Sequence, residues 1–251
     1  MRTQHTLLII MMLSLFMFVA CGGQSQPPVP PPETADRGER VETSASAPEP
    51  APVAAADQAF TIVMLGDSLT AGFGLSADEA LPEQIGVLLE ARGLDVAVIN
   101  AGVSGDTSAG GLARYDWSVA SANPDLLILA LGANDFLNRI RPASTKANLQ
   151  AIISRAQGEG IAVVLAGVST GDTAVANPDS AEYVAIYPDL AAEFGVPLFE
   201  DMLGSVRGKP SLIQLDGLHP TREGVKIMAG RMVAFLEPYL PEENPEETKD
   251  Q

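Results

Sequence analysis

One cysteine, Cys21, serves a chain of 251 residues, so no disulfide can form within it. The cysteine closes an apolar leader, remote from any folded segment, which argues against a catalytic thiol. Histidine is nearly as scarce, with His5 and His219 the whole complement. His5 falls in the leader, so the mature chain is expected to carry a single imidazole. One histidine without a spare cysteine does not make a zinc site. Positive charge is short as well: 15 Lys and Arg stand against 32 Asp and Glu, for a formal charge of -17. That balance excludes nucleic acid, whose phosphates need basic side chains, and excludes polybasic attachment to anionic lipid. The acidic surface points to solubility and mild repulsion of anionic substrates. No internal repeat or second domain is visible.

The uncharged run over residues 7–20 follows Arg2. It is short beside the roughly 20 residues of a membrane span, and it suits the core of a signal peptide over residues 1–20. The stretch Phe18-Val19-Ala20-Cys21-Gly22 resembles a bacterial lipoprotein signal, with Phe18 where that pattern usually has Leu. The resemblance implies that Cys21 is lipidated and becomes the first residue; an incidental cysteine is the alternative. Gly22 after it implies sorting to the outer membrane in a two-membrane bacterium. Residues 21–58, rich in Pro, Ala and Glu, bury too little apolar surface to fold and read as a tether or a tolerated spacer.

From residue 59 onward, apolar runs alternate with helical patterns. Strands are expected near 60–65, 96–99, 126–131, 161–166 and 196–199, with Pro197 placing the last at an edge or strand start. Helices are expected near 81–92, 108–119, 144–157, 181–194 and 223–236, with Pro188 kinking or dividing the fourth. Continuously apolar strands require cover on both sheet faces, including the short run 96–99. The fold class is therefore α/β, a three-layer α/β/α sandwich with about five parallel strands. The domain spans 59–240, and the acidic tail 241–251 is expected to be loose.

The polar residues gather at strand ends. The first strand ends in Gly66-Asp67-Ser68, the second in Asn100 and the loop Ser104-Gly105-Asp106, the third in Gly132-Ala133-Asn134-Asp135. In a parallel sheet these ends share the edge where ligands bind. Ser68 alone could be a cap or turn serine. If it is a nucleophile assisted by histidine, His219 must be the base, and Asp216, three residues earlier, can steady the ring. Asp67, Asp106 and Asp135 could in principle build an all-oxygen magnesium site, but scattered carboxylates are a weak signal and no metal is expected.

These blocks resemble the SGNH hydrolase superfamily, the GDSL esterases and lipases, nearest its bacterial periplasmic thioesterase, arylesterase and lysophospholipase group. Gly66-Asp67-Ser68-Leu69, Gly102-Val103-Ser104-Gly105-Asp106, Gly132-Ala133-Asn134-Asp135 and Asp216-Gly217-Leu218-His219-Pro220 occur in family order. The resemblance implies a flavodoxin-like sheet and a triad of Ser68, Asp216 and His219. It also implies an oxyanion hole from the Ser68 and Gly105 N–H groups and the Asn134 amide. Asp67, Asn100, Asp106 and Asp135 are expected to support the loops. Phe73, Phe136, Leu137 and Ile140 are candidate substrate-lining residues, or plain core. Two departures stand out: Ala133 replaces a usual glycine, and residues 167–180 lack the usual Pro/Asn/Tyr-Gly segment.

The implied activity is hydrolysis of carboxylic esters through an acyl-enzyme, without a cofactor. The alternatives are a lysophospholipase or acyl-CoA thioesterase, a polysaccharide O-acetyl esterase, and a non-catalytic surface-binding lipoprotein. The expected partner is a small-molecule or lipid ester, with membrane contact through the N-terminal lipid only. A monomer in the bacterial cell envelope is expected, facing the periplasm or the surface.

Overall fold

A computed structural model describes residues 59–168 and 180–242. The signal peptide, Cys21, the tether, most of the 167–180 loop and the end of the acidic tail lie outside the described residues. Five parallel strands form one sheet: β1 (Phe60–Gly66), β2 (Val96–Gly102), β3 (Leu126–Ala130), β4 (Ala162–Ala166) and β5 (Leu198–Phe199). Their spatial order is β2-β1-β3-β4-β5, the flavodoxin-like arrangement. All carboxyl ends therefore lie on one edge.

The helices are α1 (Ser68–Ala71), α2 (Leu81–Glu90), α3 (Ser108–Ala113), α4 (Tyr115–Ser118), α5 (Ala133–Leu137), α6 (Pro142–Gly158), α7 (Ser180–Phe194) and α8 (Arg222–Leu236). Alternation along β1 divides the core in two. Ile62 and Met64 pack with Ile85 and Leu89 of α2 and with Met228 and Met232 of α8. Val63 and Leu65 face the other way, against Leu149 and Ile152 of α6 and Ile186 and Leu190 of α7. Side chains at successive strand positions point to opposite faces, so a run apolar at every position fills both layers.

Three expectations need correction. The run 96–99 is not buried: Ala97 and Ile99 are exposed, because β2 is the sheet's edge strand. The helix expected over 108–119 breaks at Arg114 (φ -100°, ψ 8°) into α3 and α4. Gly110 and Gly111 weaken that helix, and the Arg114 side chain is drawn inward to fixed acceptors. Pro188, by contrast, does not divide α7, which runs unbroken from Ser180 to Phe194. The carbonyl that loses its donor belongs to Val184, a residue on the exposed side of the helix.

Candidate active site

Ser68 is placed by the end of β1. The buried strand stops at Gly66, where any Cβ would collide with the Thr70 side chain. Asp67 then caps α1, its carboxylate accepting the Leu69 N–H at 3.0 Å. Ser68 is the first helical residue, and Gly72 ends the short helix in the left-handed region at φ 79°. The hydroxyl thus stands at the carboxyl edge on a turn fixed at both ends.

The partner loop reaches Ser68 from 151 residues away. Ile213 bridges Pro220 in antiparallel fashion, and the Gln214 N–H donates to the His219 carbonyl at 2.7 Å. Inside this narrow loop one oxygen of Asp216 accepts the N–H groups of Leu218 (2.9 Å) and His219 (3.0 Å). Its other oxygen lies 2.6 Å from His219 Nδ1. His219 Nε2 lies 2.8 Å from Ser68 Oγ. A carboxylate accepts only, so Nδ1 carries the proton and Nε2 is left to accept from the serine. The hydrogen bond from His219, with help from the two backbone N–H groups, holds the Asp216 carboxyl down at about 2. The Phe73 ring lies against the imidazole, centroids 4.4 Å apart. Gln214 ties the two loops together, its amide donating to the carbonyls of Phe73 (2.8 Å) and Pro220 (2.9 Å).

Among the described residues, the N–H groups of Ser68 and Gly105 have no acceptor. Gly105 has φ 83°, a conformation that favours glycine, and both residues line the same cavity. The Asn134 amide lines it too, donating to the Asp106 carbonyl at 2.9 Å and to Asp67 at 3.3 Å. Ala133 is accommodated because the left-handed residue of this turn is Gly132, at φ 117°. A Cβ on Gly132 would strike the Tyr187 hydroxyl.

The carboxylates beside the site are engaged with protein donors. Asp135, fully buried, accepts the Ser108 N–H (2.8 Å), the Ser108 hydroxyl (2.5 Å) and the Thr145 hydroxyl (2.9 Å). Asp106 accepts its neighbour Thr107 and pairs with Arg114 at 2.7 Å. Asn100 takes the Gly102 N–H at 3.0 Å, a side-chain bond within the last residues of β2. Burial lifts the Asp67 carboxyl to about 6, against the pull of the Leu69 N–H and the nearby His219. The three aspartates are thus spread over separate hydrogen-bond partners, and no cluster of metal-ligating side chains occurs among the described residues.

Arg114 escaped the sequence reading. It is buried, and its guanidinium joins Asp106, Ser118 and the Gly66 carbonyl. It sits in a stretch that reads as an ordinary surface helix, and only the broken helix brings it inside.

A cavity of about 820 Å³ opens beside Ser68 and His219. Of the four proposed lining residues, Phe73, Phe136 and Leu137 line it. Ile140 does not; its carbonyl instead accepts the Tyr183 hydroxyl. Unforeseen walls come from Val168, Tyr183, Tyr187 and Leu203. The spacing of Tyr183 and Tyr187, four apart on one helical face, was a signal that could have found two of them.

A flavodoxin-like sheet with serine, histidine and aspartate hydrogen-bonded in a row at its carboxyl edge defines an enzyme of the SGNH esterase class. The chain belongs to the GDSL-like lipase/acylhydrolase family, whose sequence pattern matches residues 64–227. It is 34% identical over 187 residues to thioesterase 1/protease 1/lysophospholipase L1 of Escherichia coli K12, covering 74% of this chain and 86% of that protein. It is 35% identical over 183 residues to esterase TesA of Pseudomonas aeruginosa, covering 72% of this chain and 90% of the relative. Among solved structures, a crystal structure of TesA superimposes with a TM-score of 0.68 at 32% identity, covering 72% of this chain and 99% of that one.

Proposed function

We propose that the protein hydrolyses carboxylic esters by covalent catalysis, with Ser68 as nucleophile, His219 as general base and acid, and Asp216 orienting the ring. The observation that carries this reading is the continuous row from Ser68 Oγ through His219 to Asp216, at 2.8 and 2.6 Å. His219 Nε2 takes the serine proton as Oγ attacks the carbonyl carbon. The imidazolium forms against the Asp216 carboxylate, and the tetrahedral oxyanion develops beside the unpartnered N–H groups of Ser68 and Gly105. Asn134 is the third donor. Its longer bond, to Asp67, is the one that yields when the oxyanion needs a proton donor. His219 then protonates the leaving alcohol, and water repeats the sequence to free the acid. No cofactor enters any step.

The size and apolar walls of the cavity favour a long-chain acyl group, such as a lysophospholipid or an acyl thioester, as the second reading. Acetyl esters of polysaccharide use the space less well. Lipidation of Cys21, a tether over 21–58 and a monomeric domain over 59–240 in the cell envelope complete the proposal.

The test is initial rates on p-nitrophenyl esters from acetyl to dodecanoyl, beside Ser68→Ala. Turnover that disappears in the variant supports the reading, and the chain-length optimum decides the substrate class. Absence of turnover by folded wild type would overturn it in favour of a surface-binding protein.

A further inference from the structure

The mouth of the cavity carries apolar side chains that the fold leaves uncovered. Leu215 is 109% exposed, Leu137 52%, Phe73 48% and Leu218 46%, and all four line the one opening beside His219. Val103, also exposed, follows β2 on the same edge. Among the described residues, five of the eleven exposed large hydrophobics thus collect at one edge of the sheet. Leu215 and Leu218 flank Asp216 in a loop whose backbone is already fixed by the Ile213–Pro220 bridge and the Asp216 hydrogen bonds. Neither side chain takes part in those hydrogen bonds. Such a patch at an opening marks a contact surface.

We propose that this rim docks onto a zwitterionic lipid surface, with Leu215 and Leu218 entering the apolar layer. The proposal extends the esterase reading, because a lipid layer covers the rim while delivering an ester whose acyl chain already lies in an apolar phase. A rigid protein partner on the same rim would close the opening. Two further features favour lipid. The chain ahead of the domain carries the lipid-attachment pattern at Cys21, which would keep the domain tethered near a lipid layer. The net acidic charge of the domain sets the choice of lipid, since an anionic surface would repel it overall even though Arg207 and Lys209 line the same opening. The rim would be a second membrane contact beside the N-terminal lipid.

The test uses the full-length chain with Cys21→Ser, so that one introduced thiol carries an environment-sensitive fluorophore. Leu215→Cys places the label on the rim. Glu90→Cys, the exposed last residue of α2, places it at the opposite edge of the sheet. Phosphatidylcholine vesicles are expected to shift the rim label to the blue and brighten it severalfold, leaving the Glu90→Cys label unchanged. Added anionic lipid is expected to weaken the response. An unmoved rim label, or equal shifts at both positions, overturns the proposal. Thermal unfolding checks each labelled chain, and Leu218→Cys replaces Leu215→Cys should the latter fail to fold. Hydrolysis of soluble p-nitrophenyl butyrate is followed in parallel. Its absence would remove the esterase reading while leaving the label's answer intact.

Discussion

The guanidinium of Arg114 donates to the carbonyl of Gly66 at 2.9 Å, across 48 positions of chain. The same side chain pairs with Asp106 at 2.7 Å. It therefore locks the strand end that presents Ser68 to the loop that presents Gly105. Arg114→Ala leaves the Asp106 carboxylate without its cation, and a broken buried pair costs about 3 to 5 kcal/mol. Arg114→Lys keeps the charge but loses the planar fork. It is expected to lower kcat with little change in KM while recovering most of the stability. Urea unfolding and steady-state kinetics on both variants check this.

Asn134→Ala removes one of the three proposed oxyanion donors. The loss of such a donor costs about 10² to 10³ in kcat, on the order of 3 kcal/mol, with KM little changed. Ser68→Ala is expected to abolish turnover and labelling by a fluorophosphonate. Labelling of Asn134→Ala should slow without disappearing, and stopped-flow or gel-based labelling rates distinguish the two.

Gln214 acts through others. Gln214→Ala frees the Phe73 carbonyl and with it the ring that lies against His219. Small displacements of a catalytic group are costly, and a fall of about tenfold in kcat is expected. Phe73→Leu should reproduce part of it, because it removes the ring and leaves the loop tied. A comparison of kcat and KM for the two single variants and the double is the check. Equal additive losses would separate the ring from the tie.

Two carboxyls give opposite pH signatures. Asp67 is raised by burial from 3.8 to about 6, so the folded state holds its proton more tightly than the unfolded chain. Its contribution is neutral below the unfolded value, and stability falls as pH rises from about 4 to about 6. Asp216 is lowered to about 2 by its hydrogen bonds, so its contribution is present above 3.8 and is lost as pH falls toward 2. Asp67→Asn keeps an acceptor for Leu69 and removes the titration. The variant should match wild type near pH 4, gain on it as pH rises from about 4 to about 6, and keep a constant lead above that. Chemical unfolding at several pH values measures the crossing.

Much of the molecule was legible in the chain. Unbroken apolar runs such as Ile62-Val63-Met64-Leu65 and Leu126-Leu127-Ile128-Leu129 reveal strands buried on both faces, and their alternation with helices leaves few topologies. Glycine at 66 and 72 marks backbone with no room for a Cβ, and glycine at 105 marks a left-handed turn. A single histidine in the folded part pointed to the partner of Ser68 by scarcity alone. The edge position of β2 was not legible, because Val96-Ala97-Val98-Ile99 reads the same in the middle of a sheet as at its border. Whether Pro188 divides its helix was not legible either, because the helix around it is held by packing against distant segments.

Local chemistry is written in neighbouring residues, and so the strands, caps, turns and the Asp216–His219 loop belong to the sequence by itself. The tertiary structure decided what lies between distant segments. It drew Arg114 into the base of the site, set Phe73 against His219, turned Ile140 away from the cavity and gathered Leu215, Leu218 and Leu137 at one mouth. Each of these depends on through-space packing of segments tens to over a hundred residues apart, whose relative orientation no local pattern encodes.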